Sequence, residues 1–154
     1  MLRWRLIAVL AVSVHWLSAC GPATAFPPPA PSPVSTWSLR LTQTGGFAGV
    51  HLEMELSSDG HLAARDERSG RTASQQLPED VVRQISHLLA DARLGQNQPL
   101  PSMCADCFIY RLEITATNGS VIVQADDSNL NESGAAELID ALRQVRDQAL
   151  SSAS

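Results

Sequence analysis

The sequence predicts an α+β fold, in which a mostly antiparallel sheet of four to five strands carries two helices on one face, in the order β-β-β-α-β-β-α. Three observations support this prediction. Several segments alternate apolar and polar residues, as strands with one buried face do. Two other segments repeat apolar residues at helical spacing. Short turns that contain glycine separate the alternating segments, which is typical of antiparallel hairpins.

The first part of the domain is predicted to consist of strands. Apolar side chains alternate over residues 37–43 and again over residues 50–56, and a third, shorter strand is predicted over residues 61–65. The glycine-rich residues 44–49 are predicted to be the hairpin loop between the first two strands. The polar residues 66–76 show no such alternation, so we predict a loop or an irregular hairpin there.

A helix is predicted to follow these strands. Pro78, Glu79 and Asp80 are typical of a first helical turn, because proline needs no amide hydrogen bond there and the two acids face the positive end of the helix dipole. Gly95 is predicted to end this helix, and residues 96–103 are predicted to form a loop.

In the last part of the domain, the sequence pattern again predicts strands followed by a helix. Alternation over residues 108–114 and 120–125 indicates two strands, and Asn118-Gly119 between them is a strong signal for a hairpin turn. Residues 132–150 carry an apolar stripe at helical spacing and predict the second helix. Two amphipathic helices are enough to cover one face of the sheet.

The N-terminus has the pattern of a lipoprotein signal peptide. Two arginines precede an apolar run over residues 6–17, whose 12 residues are too few to cross a bilayer as a helix. The run ends in Leu-Ser-Ala-Cys at residues 17–20, which resembles the bacterial lipobox. We therefore predict that residues 1–19 are removed and that the Cys20 thiol accepts lipid. Acyl chains such as palmitate would then anchor the protein to a bacterial membrane on the extracytoplasmic side, the outer membrane if one is present.

The mature chain is predicted to have three parts. Residues 20–36 contain the lipidated cysteine and a proline-rich tether, because repeated proline favours an extended polyproline II conformation without a core. Residues 37–150 are predicted to form the α+β domain. Residues 151–154 are predicted to be a disordered tail.

Composition excludes several classes of function. The formal net charge is −5 at pH 7, and Arg3 and Arg5 fall in the predicted leader, so the mature chain is more acidic still. Phosphate groups would repel such a surface, which argues against binding to nucleic acid. The chain contains no lysine, so Schiff-base and lysine-nucleophile chemistry are excluded.

Cys104 and Cys107 lie close together in the mature domain. In an oxidising compartment a disulfide is the default expectation for such a pair. A redox-active pair usually lies at a helix N-terminus, whereas Cys107 leads directly into a predicted strand. A zinc site needs four ligands, and no second cysteine pair exists. A structural disulfide is therefore favoured over a thiol-redox pair, a metal site and free thiols.

No motif for catalysis or for cofactor binding is present. His51 and Glu53 share one face of a predicted strand, and we interpret them as part of a solvated face rather than as a metal or acid–base pair. Asp127, Asn129 and Asn131 imitate part of a calcium loop but lack the glycine that the loop requires, so we interpret them as turn and helix-capping residues. The sequence predicts no enzyme activity, no cofactor and no metal.

The glycine-rich loop is the most unusual local feature. Gly45-Gly46-Phe47-Ala48-Gly49 can be a hairpin loop whose glycines serve only its geometry. It can also be a protruding binding loop, since glycine lets the backbone approach another surface closely and Phe47 offers one large apolar anchor.

This loop also carries a family resemblance. The sequence from Thr42 to Val50, TQTGGFAGV, resembles the N-terminal signature of the emfourin family, which are small proteinaceous inhibitors of thermolysin-like metallopeptidases. The resemblance continues in the Leu-Pro-Glu-Asp helix start at residues 77–80, in an Asp-x-Phe-x-Tyr strand at residues 106–110, and in the C-terminal amphipathic helix. It covers about residues 38–149.

The resemblance implies a binding module without a cofactor, in which Gly45, Gly46, Phe47, Ala48 and Gly49 contact the peptidase. Thermolysin-like clefts favour a large apolar side chain just after the scissile bond, and Phe47 can imitate that side chain. The leading prediction is a lipid-anchored extracytoplasmic protein whose emfourin-like domain inhibits such peptidases. One alternative is an envelope lipoprotein that acts as a structural or protein-binding module without inhibitory activity. A thiol-redox protein is a less favoured alternative.

Overall fold

The computed structural model describes residues 36–94 and 104–153. They form an antiparallel sheet and two α-helices, which confirms the predicted α+β class. The predicted leader, the lipidated cysteine, nearly all of the tether, the glycine predicted to end the first helix and the loop after it lie outside the described residues. The elements in chain order are β1 (Trp37–Gly45), β2 (Val50–Ser57), β3 (His61–Asp66), β4 (Arg71–Gln76), α1 (Glu79–Asp91), β5 (Phe108–Ala116), β6 (Gly119–Asp126), a 3₁₀ helix (Leu130–Ser133) and α2 (Ala136–Ser152).

The sheet has six strands, whereas the sequence predicted four to five. The polar segment predicted as a loop or irregular hairpin contains β4, which pairs with β3 from Arg71 opposite Asp66 to Gln76 opposite His61. β4 lies at the edge of the sheet, and most of its side chains are exposed. Backbone hydrogen bonds to β3 define this strand, so no apolar alternation reveals it in the sequence.

The turn between β3 and β4 is built around Asp66. Its carboxylate accepts hydrogen bonds from the backbone N–H groups of Arg68 and Ser69 and from the Ser69 hydroxyl. The hydroxyl of Ser69 is the main cause that lowers the pKa of Asp66. Gly70 then adopts a φ of +71°, which glycine tolerates better than other residues. This turn brings the polar strand back along β3.

The strand order is β4-β3-β2-β1-β5-β6. Consecutive strands form hairpins except across α1, which leads from the edge strand β4 to β5. β1 is central, because it pairs with β2 on one side and with β5 on the other over almost its whole length. All of these pairings are antiparallel. They therefore place the ends of β1, β3 and β6 beside the starts of β2, β4 and β5.

The core lies between one face of the sheet and the two helices. Leu41, Leu62 and Leu112, from three different strands, are fully buried, as are Ile139 and Leu142 of α2. The opposite face of the sheet carries mostly polar and charged side chains. Neither helix in the described part of the chain has the length and the apolar character that a membrane-crossing helix needs.

α1 begins as predicted and ends earlier. The backbone N–H groups of Val81 and Val82 both donate to the carbonyl of Pro78, which closes the first turn. The helix ends at Asp91, because Ala92 adopts an extended conformation. The prediction that it continues to Gly95 is therefore wrong.

α2 begins and ends later than the sequence predicted. The predicted first turn is instead the 3₁₀ helix Leu130–Ser133, which ends at Gly134 with a φ of +72°. At its other end α2 continues through Ser152, into the predicted tail. The hydroxyls of Ser151 and Ser152 both donate to the carbonyl of Gln148, which explains the extension.

Candidate functional site

One end of the sheet collects four connecting segments. They are the loop between β1 and β2 (residues 46–49), the turn between β3 and β4 (residues 67–70), the segment before β5 (residues 104–107) and the turn after β6 (residues 127–129). We call these segments together the loop end of the sheet. The antiparallel pairing brings them to the same end although they are far apart in the sequence.

Phe47 lies at the tip of the glycine loop, residues 45–49. Its side chain is 97% exposed, and among the described residues the only other exposed large hydrophobic side chain is Ile122, at 47%. Ala48 and Gly49 are exposed as well. Its exposure leaves the Phe47 ring accessible to a partner, and aromatic side chains are enriched among the anchors of protein interfaces.

The base of the glycine loop rests on the segment before β5. Gly46 N–H donates to the carbonyl of Cys107 at 3.1 Å. Gly45 has a φ of +95°, and a Cβ atom there would lie 2.6 Å from the same carbonyl oxygen. Gly46 has a φ of +69°, and a Cβ atom there would lie 2.5 Å from the ring of Phe108. The positive φ favours glycine at both positions, and at Gly45 the backbone carbonyl of Cys107 also leaves no room for a side chain.

The other side of the glycine loop is held by the turn between β3 and β4. Arg68 Nη1 donates to the carbonyl of Ala48 at 3.0 Å. The neighbouring Glu67 N–H donates to the carbonyl of His51 at 3.1 Å, which fixes the turn against β2. Gly49 N–H also donates to the carbonyl of Gly46 at 3.0 Å within the loop. The loop is thus supported on both sides before any partner arrives.

Cys104 and Cys107 form a disulfide, as predicted, with an S–S distance of 2.00 Å. β5 begins at Phe108, immediately after Cys107, so the pair does not lie at a helix N-terminus that would activate a thiol. The disulfide closes a short turn whose last carbonyl receives the Gly46 hydrogen bond. The disulfide therefore adjoins the carbonyl on which the base of the glycine loop rests.

Asp127 holds the start of β5 from the other side. Its carboxylate accepts a hydrogen bond from the Tyr110 hydroxyl at 2.7 Å and another from the Phe108 N–H at 2.8 Å. The guanidinium of Arg143 lies over the Tyr110 ring, 5.1 Å from its centre. The sequence interpretation of Asp127 as a turn or capping residue missed this long-range role, which no local pattern signals.

Burial of Tyr110, followed by its hydrogen bond to Asp127, raises the pKa of the tyrosine to about 12. Both causes favour the neutral phenol, which donates its proton to the carboxylate. The folded state therefore holds this proton more tightly than the unfolded chain does.

A histidine and two glutamates form a polar cluster beside the glycine loop. His51 Nε2 lies 3.2 Å from Glu53 Oε1, and His51 Nδ1 lies 3.0 Å from Glu67 Oε2. One possible ligand atom from each residue lies within 4.8 Å of the others. The sequence pattern placed His51 and Glu53 on one strand face. It did not identify Glu67, because Glu67 lies in the segment that was predicted to be a loop or irregular hairpin.

The loop end thus combines most of the residues that the sequence singled out: the glycine loop, the cysteine pair and the face that contains His51 and Glu53. Cys20 lies outside the described residues. No protein-family model matches the sequence, and a search of curated proteins finds no match.

The raised pKa of Tyr110 predicts that the folded protein loses stability at high pH. The folded-state pKa of Tyr110, about 12, exceeds the value of about 10 expected for an unfolded chain. The resulting stabilisation is complete below pH ~10 and is lost as the pH rises toward 12. Because Tyr110 is the only tyrosine, the ultraviolet absorbance of tyrosinate measures its titration directly.

We expect Asp127→Asn to lower the midpoint of this titration, because it removes the charged acceptor while the ring stays buried. The same protein unfolded in denaturant should titrate near ~10. A midpoint near the unfolded value in the folded wild-type protein would contradict the described environment of Tyr110.

Gly45→Ala should destabilise the domain more than Gly49→Ala. Both glycines have positive φ, +95° and +61°, but a Cβ atom at Gly49 would meet nothing within 4 Å. We expect Gly49→Ala to cost about 1–2 kcal/mol from backbone strain. Gly45→Ala should cost about 2–5 kcal/mol, because the clash with the Cys107 carbonyl adds to that strain. Denaturant unfolding measures both, and equal losses would show that the close approach at Gly45 is not a constraint.

Proposed function

We propose that this protein is a membrane-anchored extracytoplasmic lipoprotein whose domain binds and inhibits a thermolysin-like metallopeptidase through the glycine loop, residues 45–49. The observation that carries the proposal is the almost complete exposure of Phe47 on a loop held from both sides. The resemblance of this loop to the emfourin signature supplies the class of partner.

The support of the loop favours tight binding. Ordering the backbone of one residue costs about 1–2 kcal/mol, so a flexible loop of five residues would lose several kcal/mol on binding. Here the hydrogen bonds from Gly46 to Cys107 and from Arg68 to Ala48 belong to the folded protein. Most of this ordering is therefore complete before a partner is met.

The same geometry suits an inhibitor rather than a substrate. A positive φ at Gly46 and at Gly49, together with the hydrogen bond between them, makes the chain around Phe47 a tight turn. The phenyl ring can enter an apolar pocket while the adjacent peptide bonds stay bent. A cleft that requires an aligned scissile bond would then be filled without productive cleavage.

The proposed anchor is the lipid on Cys20. Two or more acyl chains hold a protein stably on a bilayer, whereas one chain holds it weakly. The proline-rich tether, at ~3.1 Å per residue in the polyproline II conformation, would let the domain reach about 45 Å from the membrane. On this arrangement the partner is a peptidase exported to the same compartment.

The second candidate is an envelope lipoprotein that binds another protein without inhibiting a peptidase. The observation that favours it is the edge strand β4, which among the described residues pairs only with β3. An exposed edge strand can accept a further strand from a partner. The glycine loop would then support the fold or contact a partner of a different class.

Phe47→Ala tests the inhibitory loop. We expect the wild-type protein, purified in detergent, to inhibit thermolysin at micromolar concentration. The variant should raise the inhibition constant at least ~10-fold, because a buried aromatic anchor contributes about 2 kcal/mol or more at an interface. Its stability should stay within ~0.5 kcal/mol of wild type, since the side chain is exposed.

Ile122→Ala is the matched control, because it removes the other exposed large hydrophobic side chain, on β6 and outside the glycine loop. It should leave the inhibition constant unchanged. Unaltered hydrolysis in the presence of wild-type protein would remove the inhibitor function and leave the second candidate. Equal effects of the two variants would remove the specific role of Phe47.

Cys20→Ala tests the anchor. The wild-type protein should be recovered in the membrane fraction, with an intact mass that includes the added lipid. The variant lacks the thiol that accepts lipid, so it should lose both the added mass and the membrane association. A wild-type protein of unmodified mass would contradict lipidation.

A further inference from the structure

We propose that His51, Glu53 and Glu67 form a binding site for a zinc-like divalent cation beside the glycine loop. This site departs from the sequence prediction of no metal. None of the three side chains belongs to residues 45–49, so zinc binding can be measured separately from peptidase inhibition.

The three side chains come from two separate segments that the fold brings together. His51 and Glu53 lie on the same face of β2, two residues apart, and Glu67 lies in the turn after β3. The hydrogen bond from Glu67 N–H to the His51 carbonyl fixes the two segments to each other. The backbone therefore keeps the three side chains near one point whether or not an ion is bound.

The distances suit a single ion. Zinc binds nitrogen and oxygen at about 2.0–2.2 Å, so the ligand atoms around one tetrahedral ion lie about 3.4 Å apart. One ligand atom from each of the three residues lies within 4.8 Å of the others. The side chains are about two-fifths exposed, and changes of side-chain rotamer can supply the remaining contraction of about 1.4 Å.

The ligand types select the ion. One imidazole and two carboxylates are ligands that zinc accepts, and three protein ligands leave a fourth position for water or for a partner's side chain. Calcium takes six to eight oxygen ligands, and magnesium prefers octahedral oxygen. Neither is favoured by a set of three that includes a ring nitrogen.

Zinc would bind where His51 already contacts both glutamates. The two ring nitrogens of His51 now face one carboxylate each, Glu53 through Nε2 and Glu67 through Nδ1. Zinc takes the lone pair of a ring nitrogen that carries no proton, so zinc binding to His51 replaces one of these two contacts.

A bound ion would strengthen the support of the glycine loop. It would connect His51, near the start of β2, to Glu67, which lies in the same turn as Arg68. Arg68 in turn holds the Ala48 carbonyl. We therefore expect the ion to stabilise the β2 start and this turn as one unit.

Titration calorimetry with zinc chloride tests the site on the purified full-length protein in detergent. We expect one zinc ion per chain. Glu67→Gln, which keeps the shape of an exposed side chain, should weaken binding at least ~10-fold, a loss that even an outer-shell partner of a metal can cause. His51→Ala should weaken it as much or more.

The control variants are His61→Ala and His87→Ala, which remove exposed histidines that lie outside the cluster. They should leave zinc affinity unchanged. Equal affinity of wild type and Glu67→Gln would overturn the proposal, as would an equal loss in either control.

A second measurement separates a metal site from a purely structural ion pair. Zinc should raise the melting temperature of wild type, because a ligand that binds only the folded state stabilises it, and magnesium should not. Glu67→Gln should lose this increase. If the variant melts earlier without zinc but keeps the full zinc-dependent increase, the three residues are an ion-pair cluster only and the proposal fails. Neither measurement involves a peptidase, so its outcome does not depend on the inhibitory function.

Discussion

The loop end depends on one close approach between two backbones. A Cβ atom at Gly45 would lie 2.6 Å from the backbone carbonyl oxygen of Cys107, so this position has no room for a side chain. This contact lies where the central strand β1 ends and β5 begins, with Gly45 directly opposite Phe108. Because β1 joins strands β2–β4 to the hairpin of β5 and β6, this contact lies at the junction of the two groups of strands. The absence of a Cβ atom at Gly45 is therefore a constraint on the pairing of β1 with β5 as well as on the loop.

Polar side chains from distant segments complete the same arrangement. Asp127 binds the start of β5 through Phe108 N–H and Tyr110, while Arg68 holds Ala48 on the other side. The disulfide before β5 limits the freedom of the segment on which Gly46 rests. Each of these hydrogen bonds contributes about 0.5–3 kcal/mol, and together with the disulfide they support a short loop from several sides. A protruding aromatic side chain becomes a useful anchor only when the backbone beneath it is held in this way.

The sequence predicts those features that depend on local patterns and misses those that depend on pairing between distant segments. Alternation reveals β2, because Met54 and Leu56 point inward while Glu53 and Glu55 point outward. The sequence does not predict β4, because this polar edge strand is defined by its hydrogen bonds to β3 alone.

The same distinction applies to the site. The two glycines, Phe47 and the cysteine pair carry local signals, since each is an unusual residue type in an unusual position. No local signal in the sequence marks Arg68, Glu67 or Asp127, because only the fold places these residues at the loop end. Glu67 acquires a possible ligand role only because the Asp66 turn folds it back toward His51. Charged residues in turns thus carry information about a site that only the tertiary pairing reveals.

The direction of β1 relates the proposed anchor to the proposed binding tip. The chain enters the domain at Trp37, the first residue of β1, and reaches the glycine loop at Gly45, its last. Nine residues at ~3.3 Å each separate these points by about 26–30 Å. A tether attached at Trp37 therefore joins the sheet at the end opposite to Phe47. On the proposed anchoring, confinement to a membrane would raise the local concentration of the glycine loop for a partner in the same compartment.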